Sequence, residues 1–265
     1  MYGVTMKYIL ILSILVTFSI SLVYAVEEPE ESLILYMSFD TIDGKETIDH
    51  SLYGNNGEMI NGPKHVKGKF GKALEFNGVD SYVQIPHHEI LSVDKSVTVM
   101  AWINPERITG PDNGQWQGIL AKGNNPRSYS WWTERNSKCM HFSVGPPNGG
   151  GSVCQGEIQL NEWQHVVAQI DEGTHRYWIN GVQVGEVGNK PDPPGAVDTS
   201  PVVIGTAGGG NIRYFLGMID EVRIWNRALS EEEVNEQMEK GHFEFFAVDA
   251  IEKLPIIWGN LKARR

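Results

Sequence analysis

Between Gly217 and Ser230 the chain reads Gly-Met-Ile-Asp-Glu-Val-Arg-Ile-Trp-Asn-Arg-Ala-Leu-Ser, and this stretch limits the possible folds more than any other. Apolar residues at 218, 222 and 224 alternate with polar or aromatic ones, which predicts a strand with one buried face. A helix start follows at once: Ser230 as N-cap, Glu233 three residues on for a capping box, and Leu229 with Val234 for a hydrophobic staple. A strand late in the chain followed by one short helix suits a two-layer sandwich whose last strand closes against its first. Such closure would carry Asp220 toward the N-terminal part of the chain.

The rest of the sequence reads as many short strands separated by turn residues. With 29 Gly, 13 Pro and 10% aromatics, the composition favours a turn-rich, mostly β protein with one main domain. Leu33 to Phe39 is an almost wholly apolar first strand that Asp40 ends, and Ser96 to Asn104 is a central strand stopped at Pro105. Ala73 to Phe76 and Tyr82 to Ile85 flank Asn77-Gly78, a tight-hairpin signal, and Asn180-Gly181 supplies a second one within a meander from Trp163 to Val187. Further strands are expected at Gly118 to Lys122, Tyr129 to Thr133, Met140 to Val144 and Val202 to Gly205. The helix is expected to end near Gly241.

Lys7, the apolar run Ile9 to Val23 and Val23-Tyr24-Ala25 read as a signal peptide cleaved after Ala25, with a membrane anchor as the alternative. The run is shorter than the ~20 residues that a spanning helix needs. Residues 26–32 are an acidic lead-in, 33–240 the domain and 241–265 a C-terminal extension ending in Lys262, Arg264 and Arg265. A secreted, periplasmic or cell-surface location makes Cys139 and Cys154, the only two cysteines, a candidate disulfide across a Gly-Pro-rich turn, with two free buried thiols as the alternative. A formal net charge of -11 and no basic stripe argue against a nucleic-acid partner.

Four stretches resemble one family: Leu33 to Asp40 followed by Asp49 to Gly57, Gly68 to Pro86, Asn161 to Gly185 with its Trp163-Gln164-His165-Val166 and Ile179-Asn180-Gly181, and Gly217 to Ser230. Together they are similar to the laminin G-like and pentraxin-like jelly-roll modules of concanavalin A type, over roughly residues 33 to 240. The resemblance implies an all-β, two-sheet antiparallel jelly-roll sandwich with one short C-terminal helix. It also implies, in many members, a calcium ion and binding of sugars, matrix or other proteins.

Two groups of side chains are candidate sites. Calcium takes six to eight oxygens from carboxylates, Asn side chains and turn carbonyls, and Asp40, Asp49, Asn56, Gly57 and Asp220 offer such oxygens. The alternative is that these acids cap turns. Trp116, Arg127, Tyr129, Trp132 and Tyr214, with Trp131 and Arg135 nearby, offer aromatic faces and polar neighbours suited to stacking on a sugar ring. Of Trp131 and Trp132, one should be core and the other exposed. His165 is expected to satisfy a backbone partner, and His87-His88-Glu89 lacks the helical spacing of a zinc site.

The expected function is a secreted, non-catalytic module recognising a carbohydrate or an extracellular protein. The alternative is an exported polysaccharide-degrading enzyme, a glycoside hydrolase or lyase, on the same fold. No Glu-x-Asp-x-x-Glu strand sets paired carboxylates on one face, and no nucleophile elbow or phosphate loop occurs.

Overall fold

The computed structural model describes residues 30–109, 114–146, 150–195, 198–207 and 213–242. The expected signal peptide and nearly all of the C-terminal extension lie outside them.

Among the described residues sixteen strands form: β1 (Leu33–Asp43), β2 (Glu46–Asp49), β3 (Gly57–Ile60), β4 (Lys64–Lys67), β5 (Lys72–Asn77), β6 (Tyr82–Ile85), β7 (Ser96–Pro105) and β8 (Trp116–Gly123). The second half of the chain adds β9 (Arg127–Glu134), β10 (Met140–Gly145), β11 (Ser152–Gln155), β12 (Gln164–Asp171), β13 (Thr174–Ile179), β14 (Val182–Val187), β15 (Val202–Ile204) and β16 (Leu216–Trp225). A helix, α1 (Glu231–Met238), follows the last strand. Hydrogen bonding runs through the order β11-β10-β9-β8-β15-β6-β3-β2-β1-β16-β7-β12-β13-β14, with β5 paired to β16 and to β4.

This ladder folds over on itself. Val97, Val99 and Ile103 of β7 share one apolar cluster with Leu120, Trp131 and Phe142 of β8 to β10, so the two ends of the ladder are the two layers of a sandwich. A fully buried Leu, Val or Phe contributes about 1.5–3 kcal/mol, which makes this shared cluster the main stabilising element. A second cluster on the outer face joins Leu33, Tyr36, Met100, Val167, Trp178 and Trp225 to Leu229 and Val234, so the helix covers β16 and its neighbours. The staple residues are thus both buried. Ser230 and Glu233 form the full capping box.

Covering by the helix explains one departure from expectation. The closing strand is buried on both faces, because β1 and β7 flank it and α1 lies over it. Its alternation also breaks: Asp220 pairs with Trp102 but Arg223 with Met100, and Glu221 takes a φ of 52°. This bulge lets Ile219, Val222 and Ile224 all face the main core.

β1 differs from expectation as well. It continues past Asp40 to Asp43, and Phe39 turns with a φ of 57°. Up to Met37 it pairs with β16; beyond that point β5 takes its place, Leu216 to Ile219 pairing with Asn77 to Leu74. Gly68 to Lys72 lies at this split.

Asn77-Gly78 does not make a hairpin. β5 pairs with β4 and β16, while β6 pairs with β3 and β15. The side chain of Asn77 closes the turn itself, its Oδ1 accepting from the amides of Val79, Asp80 and Ser81. Such a self-closed corner needs no ladder between the strands that it joins. Asn180-Gly181 does behave as expected, with φ values of 50° and 77° between the paired strands β13 and β14.

Candidate binding pocket on the outer face of β8 to β11

Along β9 the side chains of Tyr129 and Trp131 enter the main core, so the intervening residues face out. Register carries this alternation across the layer: Trp132 lies opposite His141, and His141 opposite Cys154. Ser143 lies opposite Ser152 on the same face, their hydroxyls 2.8 Å apart. Trp116, at the start of β8, completes an aromatic group with ring centroids 4.5 Å from His141 and 6.5 Å from Trp132.

Trp116, Arg127, Trp132, His141, Ser152 and Arg213 line a cavity of about 160 Å³. Small-molecule sites are commonly roughly 300–1,000 Å³, so this one holds a single small ring or substituent. The Arg127 guanidinium carbon is 4.9 Å from the Trp132 ring centre and that of Arg213 is 5.7 Å away. Both stand over the indole in cation–π geometry. Arg127 also donates to Ser143 Oγ at 2.9 Å. Burial lowers the pKa of both guanidiniums from its usual value, and the Arg213 charge adds to the effect at Arg127. His141 is held at about 4, first by burial and then by the Arg127 charge, so it is neutral at pH 7.

Glu134, whose charge acts on His141, is engaged elsewhere. Asn136 N, Ser137 N and Ser137 Oγ donate to its Oε2, and Gln115 Nε2 donates to its Oε1. Burial pulls its pKa up, but the bonds from Ser137, Asn136 and Gln115 prevail and hold it at about 2. The Cys139–Cys154 disulfide, Cα–Cα 5.6 Å, forms the neighbouring edge. The two cysteines are not directly opposed: Cys154 faces His141, and Cys139 lies just before β10.

The structure thus brings together Trp116, Arg127 and Trp132 from the expected ligand set. Tyr129 is a core residue with no exposure, its hydroxyl donating to Leu91 O, because it shares the inward face of β9 with Trp131. Tyr214 sits beside Tyr82, with ring centroids 6.3 Å apart, and does not line the cavity. Trp132 faces outward as the alternation requires, yet is only 3% exposed, since its neighbours cover it. His141 and Arg213 were not anticipated. His141 was legible: in Met140-His-Phe-Ser-Val144 polar and apolar residues alternate strictly, so His141 and Ser143 share the outer face.

The expected calcium ligands divide into two groups. Asp49 Oδ1 accepts from Tyr36 N and Ser51 N, and its Oδ2 from Ser51 Oγ and Asn55 N; Asn56 Oδ1 accepts from Asp49 N, and Gly57 O from Thr47 Oγ1. These residues tie their own loop to β1. Asp40 and Asp220 instead clasp the segment at the split: Asp40 Oδ1 accepts from Lys72 N, and Asp220 Oδ2 from Lys69 N and Phe70 N. Asp220 Oδ1 is buried without a hydrogen-bond partner. Burial, then the charges of Glu221 and Asp40, raise the Asp220 pKa to about 9.

His165 corrects an expectation too. Both its ring nitrogens are buried without hydrogen-bond partners; the ring packs 5.4 Å from that of Trp102, and burial lowers its pKa to about 3, which keeps it neutral. His88 caps a 3-10 turn by accepting from Ile90 N, and His87 Nδ1 lies 3.1 Å from Lys122 Nζ.

No helix among the described residues is long and apolar enough to cross a membrane. No curated protein sequence shows significant similarity to the chain. Among solved structures, domain 4 of AbnA, a GH43 extracellular arabinanase from Geobacillus stearothermophilus solved with arabinotriose, matches with a TM-score of 0.64 at 23% identity, over 80% of this chain and 100% of that domain. The binding domain of Paraclostridial Mosquitocidal Protein 1 matches at 0.62 and 17% identity, over 78% of this chain and 52% of that one. Trypanosoma rangeli sialidase bound to the inhibitor DANA matches at 0.59 and 17% identity, over 79% of this chain and 33% of the sialidase. The chain therefore spans about half of the second and a third of the third, and these likenesses show fold alone. A family model covers residues 77–235, well over half of the chain, and the protein accordingly belongs to the concanavalin A-like lectin/glucanases superfamily.

Proposed function

We propose that the protein is a secreted, non-catalytic carbohydrate-binding module that holds a sugar residue in the pocket between Trp116 and the two arginines. One observation carries this reading. A half-buried indole, a neutral imidazole and hydrogen-bonding side chains converge on a cavity of about 160 Å³, and no carboxylate among the described residues lines it. Glycoside hydrolysis generally needs two carboxyl groups flanking the scissile bond, so the pocket wall offers stacking and hydrogen bonding without the acid pair. The arabinanase domain solved with arabinotriose, which has the same fold over its whole length, adds support by analogy.

Glycan-array binding to the full-length chain, lost in Trp116→Ala with the melting temperature preserved, is the expected result. Release of reducing ends or unsaturated sugars from a bound polysaccharide would instead favour the enzyme reading. Array binding to no glycan, with capture of an extracellular protein in its place, would favour protein recognition.

A structural calcium ion belongs to the same proposal. The buried Asp220 Oδ1 without a partner and the Asp40 carboxylate beside the same loop suit a hard cation, and these two residues would hold it. Bound calcium would neutralise the local negative charge and fasten the Gly68–Lys72 segment. Calcium should raise the melting temperature and chelator lower it; a melt unchanged by both would end this part of the reading.

A further inference from the structure

The pocket's charge is opposite to that of the chain around it. The formal net charge is -11, yet among the described residues the only ionised side chains lining this cavity at pH 7 are two guanidiniums. Neither Arg127 nor Arg213 makes an ion pair among the described residues, whereas Arg176, in a larger and more open cavity beside α1, is paired with both Asp171 and Glu186. Two buried polar atoms of the lining residues lack hydrogen-bond partners, Arg127 Nε and Trp132 Nε1, and both are donors. Trp132 is covered and holds the guanidiniums over its face, while Trp116 is the half-buried wall. A neutral sugar would leave two like charges facing each other without an acceptor of opposite sign. A ligand with one negative group relieves the repulsion and receives forked hydrogen bonds from guanidinium.

Resting on the carbohydrate-binding reading, we infer that the recognised unit is acidic: a pyranose bearing a carboxylate, its ring against Trp116 and its carboxylate between Arg127 and Arg213. The small cavity suits one such residue of a longer chain, the remainder lying outside it.

The test is titration of the full-length protein, followed by calorimetry, with trigalacturonate and sialyllactose as carboxylated probes. A neutral galactotriose and a sulfated galactose oligosaccharide serve as comparisons. At least one carboxylated probe should bind ten times or more tightly than the neutral one, weaken as salt rises, and lose tenfold or more in Arg213→Gln. Arg213→Lys, which keeps the charge and loses the fork, should fall between. Thermal melts confirm that each variant is folded, and Arg127→Gln replaces any that is not. Equal binding of neutral and carboxylated probes, untouched by Arg213→Gln, overturns the inference and leaves the carbohydrate reading in place. Binding of the sulfated probe alone overturns the choice of a carboxylate. No binding of any saccharide overturns both.

Discussion

Replacing Arg223 with Met tests how the closing strand is held. Arg223 and Glu221 have side-chain exposures of 1% and 0% and an N–O distance of 2.6 Å. The guanidinium also donates to Tyr36 Oη, Lys240 O and Gln237 O at 3.0, 2.6 and 2.9 Å, tying β16 to β1 and to the end of α1. Met replaces the aliphatic stem but leaves Glu221 with the Tyr36 hydroxyl and the His242 amide as its recorded donors. Breaking a buried pair from one side costs about 3–5 kcal/mol, because the remaining carboxyl stays desolvated and either keeps an uncompensated charge or must take up a proton. Against a domain stability of roughly 5–15 kcal/mol this is a large share. For a domain of this size the melting temperature should fall by about 6–20 °C.

Glu221→Gln on top of Arg223→Met removes the orphaned carboxyl, so the double variant should be more stable than the sum of the single losses predicts, by about 2 kcal/mol. Urea denaturation followed by tryptophan fluorescence measures all four proteins, an unchanged m-value confirming that the comparison is of stability alone. A single-variant loss below about 1 kcal/mol, or strict additivity in the double variant, would refute the reasoning.

Three further outcomes follow from the same structure. Reduction of Cys139–Cys154, which closes a separation of 15 residues, should cost about 3 kcal/mol, read as a lower urea midpoint under reducing conditions. Ser230→Ala removes an N-cap and half of the capping box, and should cost about 1 kcal/mol with the fold unchanged by circular dichroism. Stability should peak near neutral pH. Burial lowers His50, His141 and His175 to about 4 and His165 to about 3, so the unfolded chain takes up protons below about pH 6.5 that the folded chain refuses, and stability is lost as pH falls through that window. Asp220 and Glu221, raised by burial to about 9 and about 7, act oppositely: the stability they contribute is lost as pH rises through those values. A melting temperature climbing steadily from pH 4 to pH 9 in chelator would contradict the assignment of Asp220 and Glu221, and one falling steadily over the same range would contradict that of the histidines.

Local chemistry made much of the fold legible. The capping box at Ser230, the Asn180-Gly181 hairpin and the doubly apolar strand at Ser96 to Asn104 each depend on residues adjacent in sequence or in register, and each forms as expected. Asn77-Gly78 misled because the same dipeptide serves a corner closed by its own side chain, and which strand pairs with which is decided by distant partners. The bulge at Glu221 was hidden for a related reason: its positive φ follows from the packing of α1 and β1 around β16, not from a turn residue.

In the pocket, alternation was enough to separate Trp131 from Trp132, and applied equally to β9 it would have sent Tyr129 inward. Arg213 escaped because it precedes a strand and reaches Trp132 across the layer, a tertiary contact without periodicity. Asp40 and Asp220 were legible as a pair, since antiparallel closure of β16 on β1 brings both to the same segment.

That closure has an engineering consequence. Asn226 N donates to Ser32 O at 3.0 Å and Arg227 pairs with Glu30 at 2.9 Å, so the strand that opens the domain and the one that completes it finish side by side. Domains with adjacent ends tolerate being spliced into a surface loop of a host protein, or being reopened elsewhere once those ends are linked. A circular permutant of residues 30–242 cut between Asn180 and Gly181, with a linker long enough to run from His242 back to Glu30, should fold and keep its pocket on the opposite flank of the ladder.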